Sequence, residues 1–188
     1  MRPLAVILMG VLTLSGCTSV VNTITSEPIV PDPASTSVGT SIDDIKMDTY
    51  IGVNIKKADP ELAKSHININ VVNAVVLMTG EVPSKAKKQI AGDVARAFKG
   101  VRQVHNELQV RGKTSIVSRT NDTMLTAKIK TKLIFEEKVK ATNIEVITED
   151  SVVYLMGTID RPSAELASSI ASASSGVRKV VKVFEYID

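Results

Sequence analysis

The chain has 188 residues, of which 44% are apolar and only 3% aromatic, with no tryptophan. That suffices for one ordinary domain or two small ones, with cores built from Val, Ile, Leu and Ala. Residues 41–110 carry 10 Lys/Arg against 8 Asp/Glu, and residues 111–188 carry 12 against 10. Neither half is basic as a whole, so attraction to an anionic surface needs a local patch. The few aromatic rings leave no stacking platform for single-stranded nucleic acid, and no nucleic-acid partner is expected.

Arg2 precedes an apolar run from Leu4 to Leu14. The run is shorter than the ~20 residues a membrane-spanning helix requires. A charged start, a short apolar core and small residues give the layout of a secretory signal. It ends in Leu14-Ser15-Gly16-Cys17, which resembles the lipobox of bacterial lipoproteins. The resemblance implies a signal peptide over residues 1–16 and acyl chains (palmitate-type) on Cys17, which becomes the first residue after cleavage. As the sole cysteine, Cys17 has no partner for an internal disulfide. Two or more acyl chains give durable anchoring, which one alone does not. In lipoprotein sorting an Asp after the cysteine retains the protein at the inner membrane. Here Thr18 follows, which implies the outer membrane, with the protein facing the periplasm.

From Thr18 to Thr40 the sequence is rich in Ser, Thr and Pro, without an apolar period. Residues 17–40 therefore read as the lipidated cysteine and a disordered tether with an r.m.s. span of roughly 25–30 Å.

The remainder repeats itself after about 77 residues. Met47, Ile51 and Ile55 return as Leu125, Ile129 and Leu133; Val76–Gly80 returns as Val153–Gly157; Gly100-Val101 returns as Gly176-Val177. Each copy predicts a helix with an apolar stripe, a hairpin (Ile67–Val71 with Val75–Thr79; Ile144–Thr148 with Val152–Met156), a second helix and a last strand. Gly80 and Gly157 are expected to close the hairpins. The second helices are expected over Ser84–Lys99 and Pro162–Ser175, with Ile90, Val94, Phe98 and Leu166, Ile170, Ala173 facing inward. Pro162 suits a first turn, and Gly100 and Gly176 suit C-terminal caps. The last strands are Val104–Val110 and Val180–Ile187. A crossover helix permits a parallel pair beside each antiparallel hairpin. The expected fold class is α+β: two tandem domains, residues 41–110 and 121–188, joined by a polar linker at 111–120. Each has both helices on one face of a small mixed sheet.

The strand ends Leu77…Gly80 and Leu155-Met156-Gly157, the small-residue helices and the closing Gly-Val pairs resemble the BON domain. Lipobox, tether and two such copies together resemble the dual-BON outer-membrane lipoproteins. That likeness implies a protein that supports envelope integrity, gathers at division sites and recognises anionic phospholipid through its second domain. Two positions depart from the family pattern: Lys182, where the closing strand often has Asn (kept as Asn106 in the first copy), and Met124, where a large aromatic can stand.

Chemistry is sparsely represented. His66 and His105 lie in different elements with no Cys or His-x-x-x-His partner, so no metal site is expected. Asp43-Asp44 and Glu149-Asp150 read as solvated turn residues, and neither a G-x-x-x-x-G-K nor a G-x-G-x-x-G is present. No cofactor and no enzymatic activity are expected. One surface exceeds background. Opposite the buried stripe of the 121–135 helix lie Met124, Lys128, Thr131 and Phe135, with Lys132 beside them. Large apolar groups flanked by lysines suit an interfacial helix on anionic phospholipid. The alternative is a protein-interaction adaptor, in which an exposed sheet edge or this helix face recruits an envelope partner.

Overall fold

A computed structural model describes residues 40–112 and 116–187; the expected signal peptide, Cys17 and most of the tether lie outside the described residues. The elements are α1 (Thr40–Ala58), α2 (Pro60–Lys64), β1 (His66–Val72), β2 (Val75–Val82), α3 (Lys85–Ala97), β3 (Gln103–Asn106), β4 (Gln109–Val110), α4 (Ile116–Ile134), a 3-10 turn (Ala141–Asn143), β5 (Ile144–Glu149), β6 (Val152–Ile159), α5 (Arg161–Ser172) and β7 (Lys179–Tyr186). Helix α4 begins at Ile116, within the segment expected as linker.

Both mixed sheets form as expected. In the first, β1 pairs antiparallel with β2, and β2 pairs parallel with β3 and β4; in the second, β5–β6 is antiparallel and β6–β7 parallel. The last strand of the first copy is split because Asn106 turns its side chain onto its surroundings. Its Nδ2 donates to the Lys88 carbonyl and its Oδ1 accepts the Leu108 N–H. Gly92 leaves room for that amide, since a Cβ there would sit 2.7 Å from Asn106 Nδ2. In the second copy Lys182 takes this position, pairs with Glu165 at 2.6 Å, and β7 runs unbroken.

Each helix pair lies on one face of its sheet. Ile51, Ile55, Leu62, Ala91, Ala95 and Phe98 pack against Val76, Met78 and Val82. Leu125, Ile129, Leu133, Ala164, Ala167 and Ala171 pack against Val146, Val153, Leu155 and Ile159. Ala173, expected inward, is instead the exposed C-cap of α5, and Ala171 occupies the core. The alternate residues of the same strands form a third cluster, Val75 and Leu77 with Tyr154, Met156 and Val183. The two sheets therefore bury their remaining faces against each other, giving four layers: helices, sheet, sheet, helices.

The hairpins are tighter than the sequence reading. Val72↔Val75 and Glu149↔Val152 pair directly, leaving two-residue turns at Asn73-Ala74 and Asp150-Ser151. All four residues have positive φ, between 48° and 62°, the signature of a type I′ turn whose twist matches the strands. The strain on Ala74 and Ser151 is offset from the first helix of each copy. Asp44 accepts the Asn73 and Ala74 N–H groups at 2.7 and 2.9 Å, and Asp122 accepts those of Asp150 and Ser151 at 2.7 and 2.8 Å. Asp44 is thus a clamp, not a solvated turn residue.

Gly80 and Gly157 do not close the hairpins. β2 continues to Val82 and β6 to Ile159. With φ of 111° and 139°, each glycine lets a neighbouring backbone approach so closely that a Cβ would lie 2.1 Å from the His66 carbonyl oxygen or 1.9 Å from that of Asn143.

Three substitutions test these contacts. Gly157→Ala, facing both a forbidden φ and a backbone clash, loses at least about 2 kcal/mol in urea unfolding. Asp122→Ala, which orphans two turn donors, costs about 2–3 kcal/mol, whereas Ala74→Gly, relieving a left-handed Ala, gains about 1 kcal/mol in the same assay.

Candidate functional site

Helix α4 positions the expected surface. Leu125, Ile129 and Leu133 are sunk into the second core, which turns the opposite face of the helix outward. Met124 is 67% exposed and Phe135, immediately after the last helical turn, is 81% exposed. About 16 Å separate them along the axis, at 1.5 Å per residue. Between them, Lys128 donates to the Ser175 carbonyl at 3.4 Å and Lys132 to Ser174 Oγ at 2.9 Å. Each ammonium has three donors, and both side chains remain exposed. Thr131 turns its hydroxyl back to the Ala127 carbonyl at 2.8 Å, which leaves its methyl on the ridge.

All five residues expected on this surface are exposed on α4 or just after it. The sequence reading misses Ile134, which is 69% exposed beside Phe135 and enlarges the apolar tip. Ile134 lies off the i, i+4, i+7 row, so only its position next to Phe135 could have signalled it.

The second polar region lies where the domains meet. Around the apolar layer of Leu77, Tyr154 and Met156, side-chain links cross between the copies. Asn73 Nδ2 donates to Thr158 Oγ1 at 2.7 Å, and Asn68 Nδ2 to Glu149 Oε2 at 2.8 Å. Arg102 pairs with Glu185 at 2.5 Å and Arg111 with Asp150 at 2.9 Å. Asp150 also receives Arg178 at 2.8 Å, so it is an ion-paired turn residue. Burial pushes the Tyr154 phenol up to about 12, aided by the carboxylates of Glu107 and Glu149.

Glu149 corrects the sequence reading most sharply. It is the last residue of β5, points into the layer between the sheets and is buried. Burial raises its carboxyl above the usual range, the Asn68 hydrogen bond opposes this, and the charges of Glu81 and Asp122 add to it. His66 Nε2 lies 3.8 Å from Glu149 Oε2, and Glu81 is buried next to both. His66, Glu81 and Glu149 stand 15 and 68 residues apart in the sequence, so no local motif announces them. His105, by contrast, sits half-buried on β3.

Family comparison places these observations. The BON-domain model matches residues 51–112 and 121–188, and the chain belongs to that family as a tandem pair. It is 35% identical to the outer membrane lipoprotein DolP of Haemophilus influenzae, over 100% of this chain and 97% of that protein. It is 32% identical to a 21 kDa hemolysin of Actinobacillus pleuropneumoniae, over 80% and 78% of the two chains. A further 32% identity, over 79% and 75%, links it to the osmotically-inducible protein Y of Escherichia coli. The likeness to an outer-membrane lipoprotein runs the full length, as the resemblance in the sequence implies.

Because Leu77 is fully buried between the two sheets, Leu77→Ala is expected to cost about 2–5 kcal/mol. Amide hydrogen exchange should speed up in β6 as well as in β2; acceleration confined to residues 40–112 would show that the domains stand independently.

Proposed function

We propose that this is an outer-membrane lipoprotein with an envelope-supporting role, facing the periplasm, whose second BON domain docks the α4 ridge onto anionic phospholipid. Met124, Thr131, Phe135 and the adjoining Ile134 enter the interface, while Lys128 and Lys132 approach the headgroups. The observation that carries this reading is the exposure of Met124, Ile134 and Phe135 on a helix whose other face is buried in a core. A helix laid flat on a membrane buries such groups and keeps its charged stems at headgroup level.

Magnitudes agree with a tethered binder. Each lysine near an anionic surface contributes about 1 kcal/mol, and full burial of a large apolar side chain about 1.5–3 kcal/mol. Partial insertion of three large apolar side chains and a threonine, plus two lysines, binds a free protein weakly. Acyl chains on Cys17 and a tether over residues 17–40 raise the local concentration to the millimolar range, where weak contacts suffice. Enrichment at division sites, implied by family resemblance, belongs to the same proposal.

The test is co-sedimentation of the chain from residue 17 carrying Cys17→Ala with phosphatidylcholine vesicles, with and without phosphatidylglycerol. Binding should require phosphatidylglycerol, and Phe135→Glu or the pair Lys128→Glu/Lys132→Glu should lower it by about tenfold, equivalent to ~1.4 kcal/mol. Equal binding to neutral vesicles, or none lost in the paired variant, rejects the reading. Photocrosslinking from position 124 in cells gives lipid adducts if it holds. Protein adducts that persist after depletion of anionic lipid would instead make the helix face an adaptor for an envelope partner.

A further inference from the structure

The two BON domains meet most unusually at His66, Glu81 and Glu149. A ring nitrogen and one oxygen from each carboxylate all lie within 4.8 Å of one another. Glu81 is 1% exposed, and among the described residues its Oε2 has no hydrogen-bond partner. Its Oε1 faces the Arg111 guanidinium at 3.5 Å. A buried carboxylate oxygen left without a donor, beside a second buried carboxylate, is costly unless a cation or proton joins them. Salt bridging through Arg111 reaches the other oxygen only.

The surrounding groups suit a metal ion better than a shared proton alone. Asn68 Nδ2 donates to Glu149 Oε2 and lies 3.2 Å from His66 Nε2. An amide N–H facing that ring nitrogen makes it the acceptor, the tautomer in which imidazole ligates, and a metal ion would take the place of the Asn68 N–H on its lone pair. The same amide holds Glu149 in place as an outer-shell partner. Donor atoms around one zinc ion stand about 3–4 Å apart, as follows from bonds of ~2.0–2.2 Å, so only small side-chain rotations separate the observed cluster from a coordination set. A cavity of about 460 Å³, lined by His66, Asn68, Arg119, Asp122, Lys130 and Glu149 among others, adjoins the cluster on its His66 and Glu149 side and offers room for a water ligand.

We propose that His66 and Glu81 of the first domain and Glu149 of the second form an interdomain site for a divalent transition-metal ion of the zinc class. One imidazole and two carboxylates neutralise a divalent charge and leave a position for water. The ion ties β1 and β2 to β5 and so locks the packing of one domain on the other.

The experiment uses the chain from residue 17 with Cys17→Ala, so that no thiol competes, stripped with EDTA and titrated with zinc chloride by calorimetry and thermal melting. One zinc per chain should bind, raising the melting temperature by several degrees, with reversal by EDTA and no effect of magnesium. Glu81→Gln and His66→Gln should each weaken zinc binding by at least about tenfold, while His105→Gln leaves it unchanged. Glu81→Gln removes a buried charge and keeps the side-chain shape, so it should remain folded by circular dichroism. The absence of saturable binding, or one-to-one binding undiminished in both Glu81→Gln and His66→Gln, overturns the site.

Discussion

Everything in this molecule depends on β2 and β6 being buried on both faces. A strand alternates its side chains, and here both sets are consumed: Val76, Met78 and Val82 enter the first helical core while Val75 and Leu77 enter the shared layer. Val153, Leu155 and Ile159 enter the second core while Tyr154 and Met156 meet the first sheet. Separated, each domain would expose an apolar sheet face, at about 25 cal/mol per Å². The ion pairs and amide bonds at the rim fix the register of the two sheets, but exposed pairs add little energy. Apolar contact holds the domains, and polar contact aligns them.

That packing decides which surfaces remain free. With sheet faces closed, the exposed faces of the helices form the two outer layers. Helix α4 turns two large apolar residues and an apolar tip outward there, between lysines that reach the end of α5. The membrane-facing surface proposed for the second domain is thus a by-product of where the sheets could not be left open. Asp122, in the second turn of the same helix, ties it to the turn at Asp150-Ser151.

Much of this was written plainly in the sequence. The repeat, the 3.6-residue stripes and the hairpins emerged because each is a local pattern, and the α4 ridge emerged because it violates one. Other features were hidden by distance. Val75-Val76-Leu77-Met78 is a continuous apolar run, the mark of a strand covered on both sides, yet nothing local says that the second cover is a sister domain. Glu149 read as solvated because the sequence puts it in the turn. The turn is only two residues long, so Glu149 stays in the strand and its parity sends it inward. Gly80 and Gly157 read as strand ends because the close approach that demands them comes from another strand.

A duplicated chain would be expected to build an interface with the same chemistry at both ends, and the exceptions carry information. At one end, Asn73 from the first hairpin turn meets Thr158 of β6. At the other, Asp150 from the second turn meets Arg111, beside Glu81, the repeat counterpart of Thr158. The counterparts of His66, Glu81 and Glu149, at an offset of 77, are Asn143, Thr158 and Val72. At these three positions one end carries neutral, more exposed residues, with the Arg102–Glu185 pair beside Asn73 and Thr158, whereas the other brings an imidazole and two buried carboxylates together. Packing alone does not require that difference, since the other end closes without a pair of carboxylates. Two buried carboxylates held against each other raise the energy of the folded state. Their position opposite the His66 imidazole makes cation binding the simplest physical reason for the asymmetry.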